Sequence, residues 1–567
     1  METLPVGTAT LSETLSLLVN RVSNLFYNKS HIRAIMEYSQ TDEDDLGTAA
    51  HELLKEISAR NPNVFKAHAN ELCRNLEAQA PTPSKTNPAG ALDSMKACAS
   101  FTHIFPDNVP KDSKFPQSMV RYALHGSPPA IAKYAVSIIL SSAEKKEMYM
   151  KDLLRECVDG FTYGLNNFLV KLACLSQLML RAYKDLEDAI DPVMDIAIKQ
   201  VLLRVRRPGI EEESAWQENV DEDCEAKIWA LKILVNRLRS QENADSAREI
   251  ARPVYQMLNT LIEKKGELST SVSTPKSHTS RLRLQAALLH LKLCSMKAFD
   301  GFLTAAAFNK LAMVAQDALF PVREGFVDKV KKYLGQDRLP ARFYTVVFLL
   351  AFEPIDRLRE DTQTWVRAQA KKLSKTKKPY LEIAFARLLS LLAHHPDFYN
   401  SAADLEDFVR YIMFYLKTVA TEEMLPLLYY ISQRVKAVQD AISPNMSDNL
   451  YCLSDLAQAV ILHYEEMHNW SMQTYEGKIG LPSSIFAALP NHEAAQEIAR
   501  KQYLPEQLID QLGSLVKGTI RSKKVSGDNS ILSYRSSLIS FFAAKIRLGS
   551  RTPCKATIEC CAEEWSC

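Results

Sequence analysis

The chain has 567 residues, 47% hydrophobic and 24% charged, which is enough apolar mass for a large core and excludes a disordered protein. Only 17 of the 567 are glycine, about 3% against a usual ~7%, so the glycine-dependent turns of hairpins, Rossmann folds and phosphate loops are disfavoured. With 69 Lys plus Arg against 67 Asp plus Glu the net charge is +2, and the chain as a whole does not attract nucleic acid electrostatically.

No apolar run is long enough to span a bilayer, and the opening METLPVGTATLSETLSLL has no basic n-region of a secretory signal. Cys73, Cys98, Cys157, Cys174, Cys224, Cys294 and Cys452 are scattered through apolar segments. They read as buried free thiols in a reducing compartment, the cytosol or nucleus.

From about 30 to 515, apolar residues recur at spacings of three and four, interrupted by Pro, Asn, Asp or Gly. The spacing predicts paired helices at 31–40 with 46–59, and at 116–125 with 128–142, where Pro128 and Pro129 suit a first turn. Further helical stretches follow at 151–180, 191–206 with 224–240, 247–263 with 279–297, and 302–317 with 321–334. The series ends with 339–352 and 357–375, 379–394 and 401–417, 421–440 and 447–468. Helix pairs at roughly 40-residue intervals predict an all-α, HEAT-repeat α-solenoid, in which each pair buries its apolar face against the next. Three polar insertions, 78–91, 207–223 and 264–278, are expected as surface loops, and 476–492 as an extended cap. The implied organisation is a partial repeat over 1–29, the solenoid over 30–515, and a basic, serine-rich disordered tail over 516–567.

Motifs of catalysis are missing: the sequence holds no GxSxG, Walker A, HExxH or strand-borne GxGxxG. Cys554, Cys560, Cys561 and Cys567 form no CxxC pair. The most reactive-looking stretch is LLSLLAHHPDF (388–398), with His394, His395 and Asp397. Neighbouring helical residues point about 100° apart, so the two histidines cannot share one metal in a helix. Pro396 also ends the helix at His395. The expected role is structural: histidines satisfying the last carbonyls and Asp397 at a turn or cap. Neither an enzyme, a cofactor, a metal site nor a small-molecule substrate is expected.

Two basic clusters are candidate contacts for phosphate or a partner: Lys371, Lys372, Lys375, Lys377 and Lys378 in KKLSKTKKP, and Arg204, Arg206 and Arg207. Without interleaved aromatics they do not suggest base stacking, and a solvated face is the plainer reading. Weak DNA contact through the lysine run and the tail is a third expectation. Arg281 and Arg283 open an apolar helix and are expected to pair with carboxylates inside the chain.

The strings HELLKEISARNPNVFKAH (51–68), AKIWALKILVNRLR (226–239), SRLRLQAALLHLKL (280–293), PVREGFVDKVKKYL (321–334), SLLAHHPDF (390–398) and YCLSDLAQAVI (451–461) occur in this order. Over residues 25–515 they resemble the C-terminal half of the precocious-dissociation-of-sisters (Pds-five) family of cohesin regulators, the fungal branch most closely. The resemblance implies a non-enzymatic nuclear HEAT scaffold that associates with chromatin. It would bind the kleisin subunit of cohesin and the releasing factor Wapl, and regulate maintenance and release of sister chromatid cohesion. It also implies inositol phosphate binding, with no residue of this chain assigned to it. Family members are about twice as long, so a truncated form lacking the Wapl-binding region is expected. A HEAT-type transport or trafficking adaptor is the alternative.

Overall fold

The computed structural model describes Lys29 to Arg521, apart from 42–49, most of 51–61, 166, 183–188, 205–213, 242–243, 269–273 and 376–378. The expected partial repeat over 1–29 and residues 522–567 of the expected tail thus lie outside the described residues, save for the start of the first helix at Lys29. Two compact units partition the chain, Met1–Phe343 and Tyr344–Cys567. Both are all-α and HEAT-like, built from helices stacked on their neighbours.

In the amino-terminal unit the helices are α1 (Lys29–Thr41), α2 (Ala69–Ala78), α3 (Ala91–Ile104), α4 (Lys114–His125), α5 (Ala130–Ser142), α6 (Lys146–Val158) and α7 (Phe168–Arg181). They continue as α8 (Ile190–Asp195), which runs on into a π-helical stretch Ile196–Leu202, then α9 (Glu222–Arg239), α10 (Ala244–Glu263) and α11 (Lys276–Cys294). Short α12 (Lys297–Asp300) and α13 (Ala305–Ala312) precede α14 (Phe320–Gly335). One row of helices packs in succession: α3 on α5, α5 on α7, α7 on α9, α9 on α11, α11 on α14. Their sequences explain why. FLVKLACLSQLMLR of α7 is apolar nearly all round and buries residues from Phe168 to Met179 on several sides, as a helix enclosed by neighbours must. By contrast α6 buries one stripe, Met150, Leu153, Leu154 and Cys157, and serves as a cover. Each fully buried Leu or Ile adds about 1.5–3 kcal/mol, so the row is the core.

Polar groups in this core are satisfied one by one. Asn236 of α9 donates through Nδ2 to the Ser176 carbonyl at 2.8 Å, tying α9 to α7, and the Tyr255 hydroxyl donates to the Phe299 carbonyl at 2.8 Å. Helix starts carry the residues that accept orphan N–H groups. Asp221 accepts from Cys224 N at 2.8 Å at the head of α9, and Thr304 from Ala307 N at 3.2 Å at the head of α13.

The carboxy-terminal unit contains α15 (Tyr344–Phe348), α16 (Asp356–Ser374), α17 (Tyr380–Ala393), α18 (Ala402–Val419), α19 (Leu425–Val435), α20 (Ser447–His468), α21 (His492–Arg500) and α22 (Glu506–Arg521). Its centre is α17, packed on α15, α19 and α20, with Tyr415 of α18 wedged against Phe348 and Phe385 at ring distances of 4.8 and 4.7 Å. The Tyr415 hydroxyl donates to the Leu381 carbonyl at 2.9 Å.

Several expectations are corrected. The stretch 421–440 is not one helix: α19 stops at Val435, and Val438–Asp440 forms strand β1, paired antiparallel with β2 (Phe486–Ala488). The expected extended segment 476–492 contains β2. The boundary placed at 515/516 falls inside α22, which runs to Arg521. Of the stretches left unassigned, 69–78, 91–104 and 492–500 are helices. The seven scattered cysteines are all free and buried. Burial holds the thiols of Cys224, Cys294 and Cys452 up to about 12, which keeps them protonated and unreactive. No described helix is long and apolar enough to cross a membrane.

Candidate anion-binding basin and the expected sites

The histidine pair lies at a joint. Helix α17 ends at Ala393: His394 N donates to Leu391 O and His395 N to Leu392 O, while Asn449 Nδ2 donates to Ala393 O at 3.1 Å. The histidine side chains therefore do not cap the helix, contrary to expectation. His394 Nε2 instead meets Asp440 Oδ2 at 2.9 Å, while His395 Nδ1 accepts from Asp397 N at 3.2 Å. The His395 ring stands against Phe408 and Tyr411. Asp440 is fully buried, and its Oδ1 accepts from the N–H groups of Ile442 and Ser443, both at 2.8 Å. Asp397 stands in the turn, one of the two places expected for it, and Ser401 caps the next helix, accepting from Asp404 N at 3.2 Å. The dyad pins the end of α17 to strand β1. Among the described residues no group of three His, Cys, Asp or Glu side chains could hold a metal.

Of the two opening arginines, Arg283 behaves as expected. Its Nε and Nη2 grip Asp317 at 2.5 and 2.8 Å, and its Nη1 donates to the Lys265 carbonyl. Arg281 pairs with no carboxylate among the described residues. It lies 3.7 Å over the Trp216 ring and donates to the backbone carbonyls of Gln217 and Glu218, holding the inserted loop against α11.

The expected basic patch is divided. Lys371 and Lys372 occupy the exposed last turn of α16 and Lys375 follows it; Lys377 and Lys378 lie outside the described residues. Arg204 is exposed in the amino-terminal unit, stacked 4.1 Å over Tyr163, and Arg206 and Arg207 lie outside the described residues. Lys371, Lys372 and Lys375 thus belong to one unit and Arg204 to the other.

A different basic group, missed in the sequence, is brought together by the core row. Lys133 of α5, Lys232 and Arg239 of α9, Lys292 of α11 and Lys329 of α14 are each half-buried. Burial lowers the Lys292 ammonium to about 7, assisted by the charges of Arg239, Lys232, Lys133 and Lys329. Lys232 is lowered to about 8 by burial and then by Lys133, with Glu225 opposing. Burial lowers Lys133 too, with Lys96 and Lys329 adding to it. The same is true of Arg239, where Tyr333 opposes and Arg338 adds.

Four packing steps lead from α5 to α14 through α7, α9 and α11. Lys133, Lys232, Arg239 and Lys329, on different helices of the row, all bear on Lys292, and these five cations make up the candidate basin. Aromatic rings line it, with Lys232 Nζ 3.8 Å from the Trp229 ring and Lys329 Nζ 4.7 Å from Tyr333. None of the four lysines makes an ion pair among the described residues. Arg239 donates to Asn236 Oδ1 at 3.1 Å, while its Nε is buried with no acceptor. Glu225, the carboxylate acting on Lys232, accepts from Trp229 Nε1 at 3.0 Å. A set of cations with no acid to match is chemistry suited to a multiply charged anion.

A single signal in the sequence could have found it: each lysine interrupts an apolar helix, in AIAKYAV, WALKILV, LHLKLC and FVDKVKK. One at a time they read as snorkelling side chains; only the packing of their helices relates them.

Comparison with known proteins places the chain. A family model described as "Sister chromatid cohesion protein PDS5 protein" matches residues 2–487. The chain is 28% identical to the sister chromatid cohesion protein pds5 of Schizosaccharomyces pombe, covering 91% of this chain and 42% of that protein. It is 26% identical to its Saccharomyces cerevisiae counterpart, over 90% of this chain and 43% of that protein. Against the human PDS5 homolog B it is 22% identical, over 88% and 36% respectively. The chain therefore spans less than half the length of the curated relatives it matches. With six-sevenths of its length matched by that family model and the stacked-helix architecture in place, the chain belongs to the PDS5 family of sister chromatid cohesion proteins.

Proposed function

We propose that this chain is a non-enzymatic nuclear scaffold of sister chromatid cohesion, binding the cohesin complex through its kleisin subunit. The family match over residues 2–487 carries this reading. The helical array supports it, since stacked helices hold an extended surface rigid for a partner segment. Wapl is a second candidate partner, and association with chromatin follows from holding cohesin. Affinity capture from dividing cells tests the proposal: cohesin subunits are expected, and recovery of a small GTPase or coat subunits in their place would favour a transport adaptor.

The basin supports a second reading, that the amino-terminal unit binds a compact polyphosphate of the inositol phosphate class. Its lysine point charges, buried Arg239 Nε and aromatic walls fit a small ligand with several phosphates. Calorimetric titration with myo-inositol hexakisphosphate is expected to show one saturable site that Lys232→Glu with Lys292→Glu abolishes while circular dichroism stays unchanged. Uncharged inositol should give no heat. Equal loss of DNA binding and hexakisphosphate binding in that variant would assign the basin to nucleic acid instead.

The exposed lysines at the end of α16 remain a candidate phosphate contact. Lys371→Glu with Lys375→Glu should reduce the salt dependence of DNA binding, and an unchanged slope would remove these lysines from the contact.

A further inference from the structure

We propose that Thr82 is a phosphorylation site for a proline-directed serine/threonine kinase, and that Lys85 first guides the kinase and then holds the phosphate. The inference is independent of the scaffold and polyphosphate readings and rests on the polar insertion between α2 and α3. Among the described residues a serine or threonine precedes proline at Thr82, Ser127, Thr274 and Ser443. Proline at the next position suits a kinase whose pocket there offers no acceptor, since any other residue would bury an unpaired N–H. A basic residue three positions on suits an anionic site on the same enzyme. Thr82-Pro83-Ser84-Lys85 supplies both, whereas the third residue after Ser127, Thr274 and Ser443 is Ala130, Ser277 and Met446 in turn.

These four residues form an exposed turn. Pro81 is buried at its base, Thr82 is half-buried, and Pro83, Ser84, Lys85 and Thr86 are exposed. Thr82 N donates to Lys85 O at 2.9 Å and Lys85 N to Thr82 O at 3.2 Å, which joins the pair antiparallel across the corner. Buried Asn87 fixes the stem: its Nδ2 donates to Ser127 O at 2.6 Å and its Oδ1 accepts from Ser127 N at 2.8 Å. The Thr82 hydroxyl lies 3.3 Å from the Ser84 hydroxyl. By contrast the Thr274 hydroxyl donates to the Glu267 carboxylate at 2.6 Å, and Ser127 and Ser443 are held through their N–H groups by Asn87 and Asp440. A lone two-residue turn is marginal in water, so this one opens into an extended kinase cleft at small cost while Asn87 keeps its anchor. In the transfer, Thr82 Oγ1 attacks the γ-phosphorus of ATP. The Oγ1–P bond forms, the bond from that phosphorus to the bridging oxygen breaks, ADP departs, and the hydroxyl proton passes to the kinase's catalytic base. Once the turn closes again, the bridged residues project from the same face with Cβ atoms about 4.5–5.5 Å apart. The new dianion then stands beside Lys85, which makes no ion pair among the described residues, and a charge-assisted bond replaces a weak hydroxyl contact.

Incubation of the full chain with ATP and a purified cyclin-dependent protein kinase, followed by tandem mass spectrometry, tests the assignment. Phosphate is expected on Thr82 at an initial rate at least about tenfold above that on Ser127, Thr274 or Ser443. Thr82→Ser should keep the reaction and Thr82→Ala should remove it. Pro83→Ala should lower the rate about a hundredfold and Lys85→Ala about tenfold, with circular dichroism unchanged because both side chains are exposed. Phosphorus NMR reads the second role of Lys85: the parent's phosphothreonine should lose its last proton about 0.5 pH unit below that of phosphorylated Lys85→Ala. A natively folded parent that takes no phosphate on Thr82, or takes it equally at all four sites, would overturn the site. A phosphothreonine that titrates identically with and without Lys85 would overturn the lysine's part as counter-ion.

Discussion

The two units treat buried charge in opposite ways. In the carboxy-terminal unit Asp440 is fully enclosed, yet a histidine and two backbone N–H groups meet its oxygens. The amino-terminal unit does the same at Arg283 and Asp317, but in its basin it gathers five cations without a paired acid. Both arrangements place ionisable groups inside a helical array. A satisfied charge fixes one geometry, whereas an unsatisfied set of like charges selects a ligand. Looking only for His, Cys and carboxylate clusters would have stopped at His394, where the geometry is architectural.

The comparison breaks most severely if the satisfied charges prove dispensable. Asp317→Ala leaves Arg283 buried without its bidentate partner and also removes the acceptor for Leu319 N, at 3.0 Å. Removing one member of a buried pair costs about 3–5 kcal/mol, which denaturant unfolding should register as a lowered midpoint with an unchanged slope. Asp440→Ala should cost about 2–3 kcal/mol by stranding two buried N–H groups and His394. A loss below about 0.5 kcal/mol at either site would dissolve the contrast between the two kinds of charge.

Acidity and alkalinity sharpen it further. His290 is fully buried with both ring nitrogens unpartnered, and burial lowers its pKa to about 3. Between pH 3 and 6.5 the unfolded chain binds the proton and the folded chain does not, so stability falls as pH drops below 6.5. The slope approaches about 1.4 kcal/mol per pH unit, and His290→Leu should flatten it. Lys292, lowered to about 7, works at the other end. From pH 7 to 10 the unfolded chain holds more protons, so ligand-free stability contributed by this group rises with pH. Hexakisphosphate should cancel that rise by keeping the lysine charged. Melting curves at pH 5, 7 and 9 separate the two residues.

Helices with one strong apolar stripe and a proline or cap at their ends were legible in the sequence. That covers α9, α10, α11, α14, α16, α17, α18 and α20 closely, because the period of 3.6 and the end signals agree there. Strands β1 and β2 were not, since Val438 pairs with Ala488 and neither three-residue segment carries its own pattern. The stop of α19 at Val435 follows from that pairing and not from a local breaker. Helix α3 was hidden by its composition: ALDSMKACASFTHI mixes small, polar and apolar residues. Of the sites, the Arg283 pair was readable as an arginine opening an apolar helix. The basic group was not, because its residues are dispersed from 133 to 329 and are related only through the packing of their helices. The lysine run 371–378 stood out in the sequence for the opposite reason: adjacency along a chain is easily seen and says little about convergence in space.

The smallest effect is expected where the sequence looked most reactive. His394→Gln with His395→Gln keeps a side-chain amide able to donate to Asp440 and an acceptor near Asp397 N. The losses are one charge-assisted bond and the imidazole packing against Phe408 and Tyr411, about 1 kcal/mol in sum. Capture of cohesin subunits should be unchanged. If capture vanished while the melting temperature moved by only the few degrees this cost implies, the joint at the end of α17 would itself be part of the partner surface. A satisfied charge would then have been doing more than holding a helix to a strand, and the division between architectural and ligand-seeking charge would have to be drawn by exposure to the partner instead of by compensation within the chain.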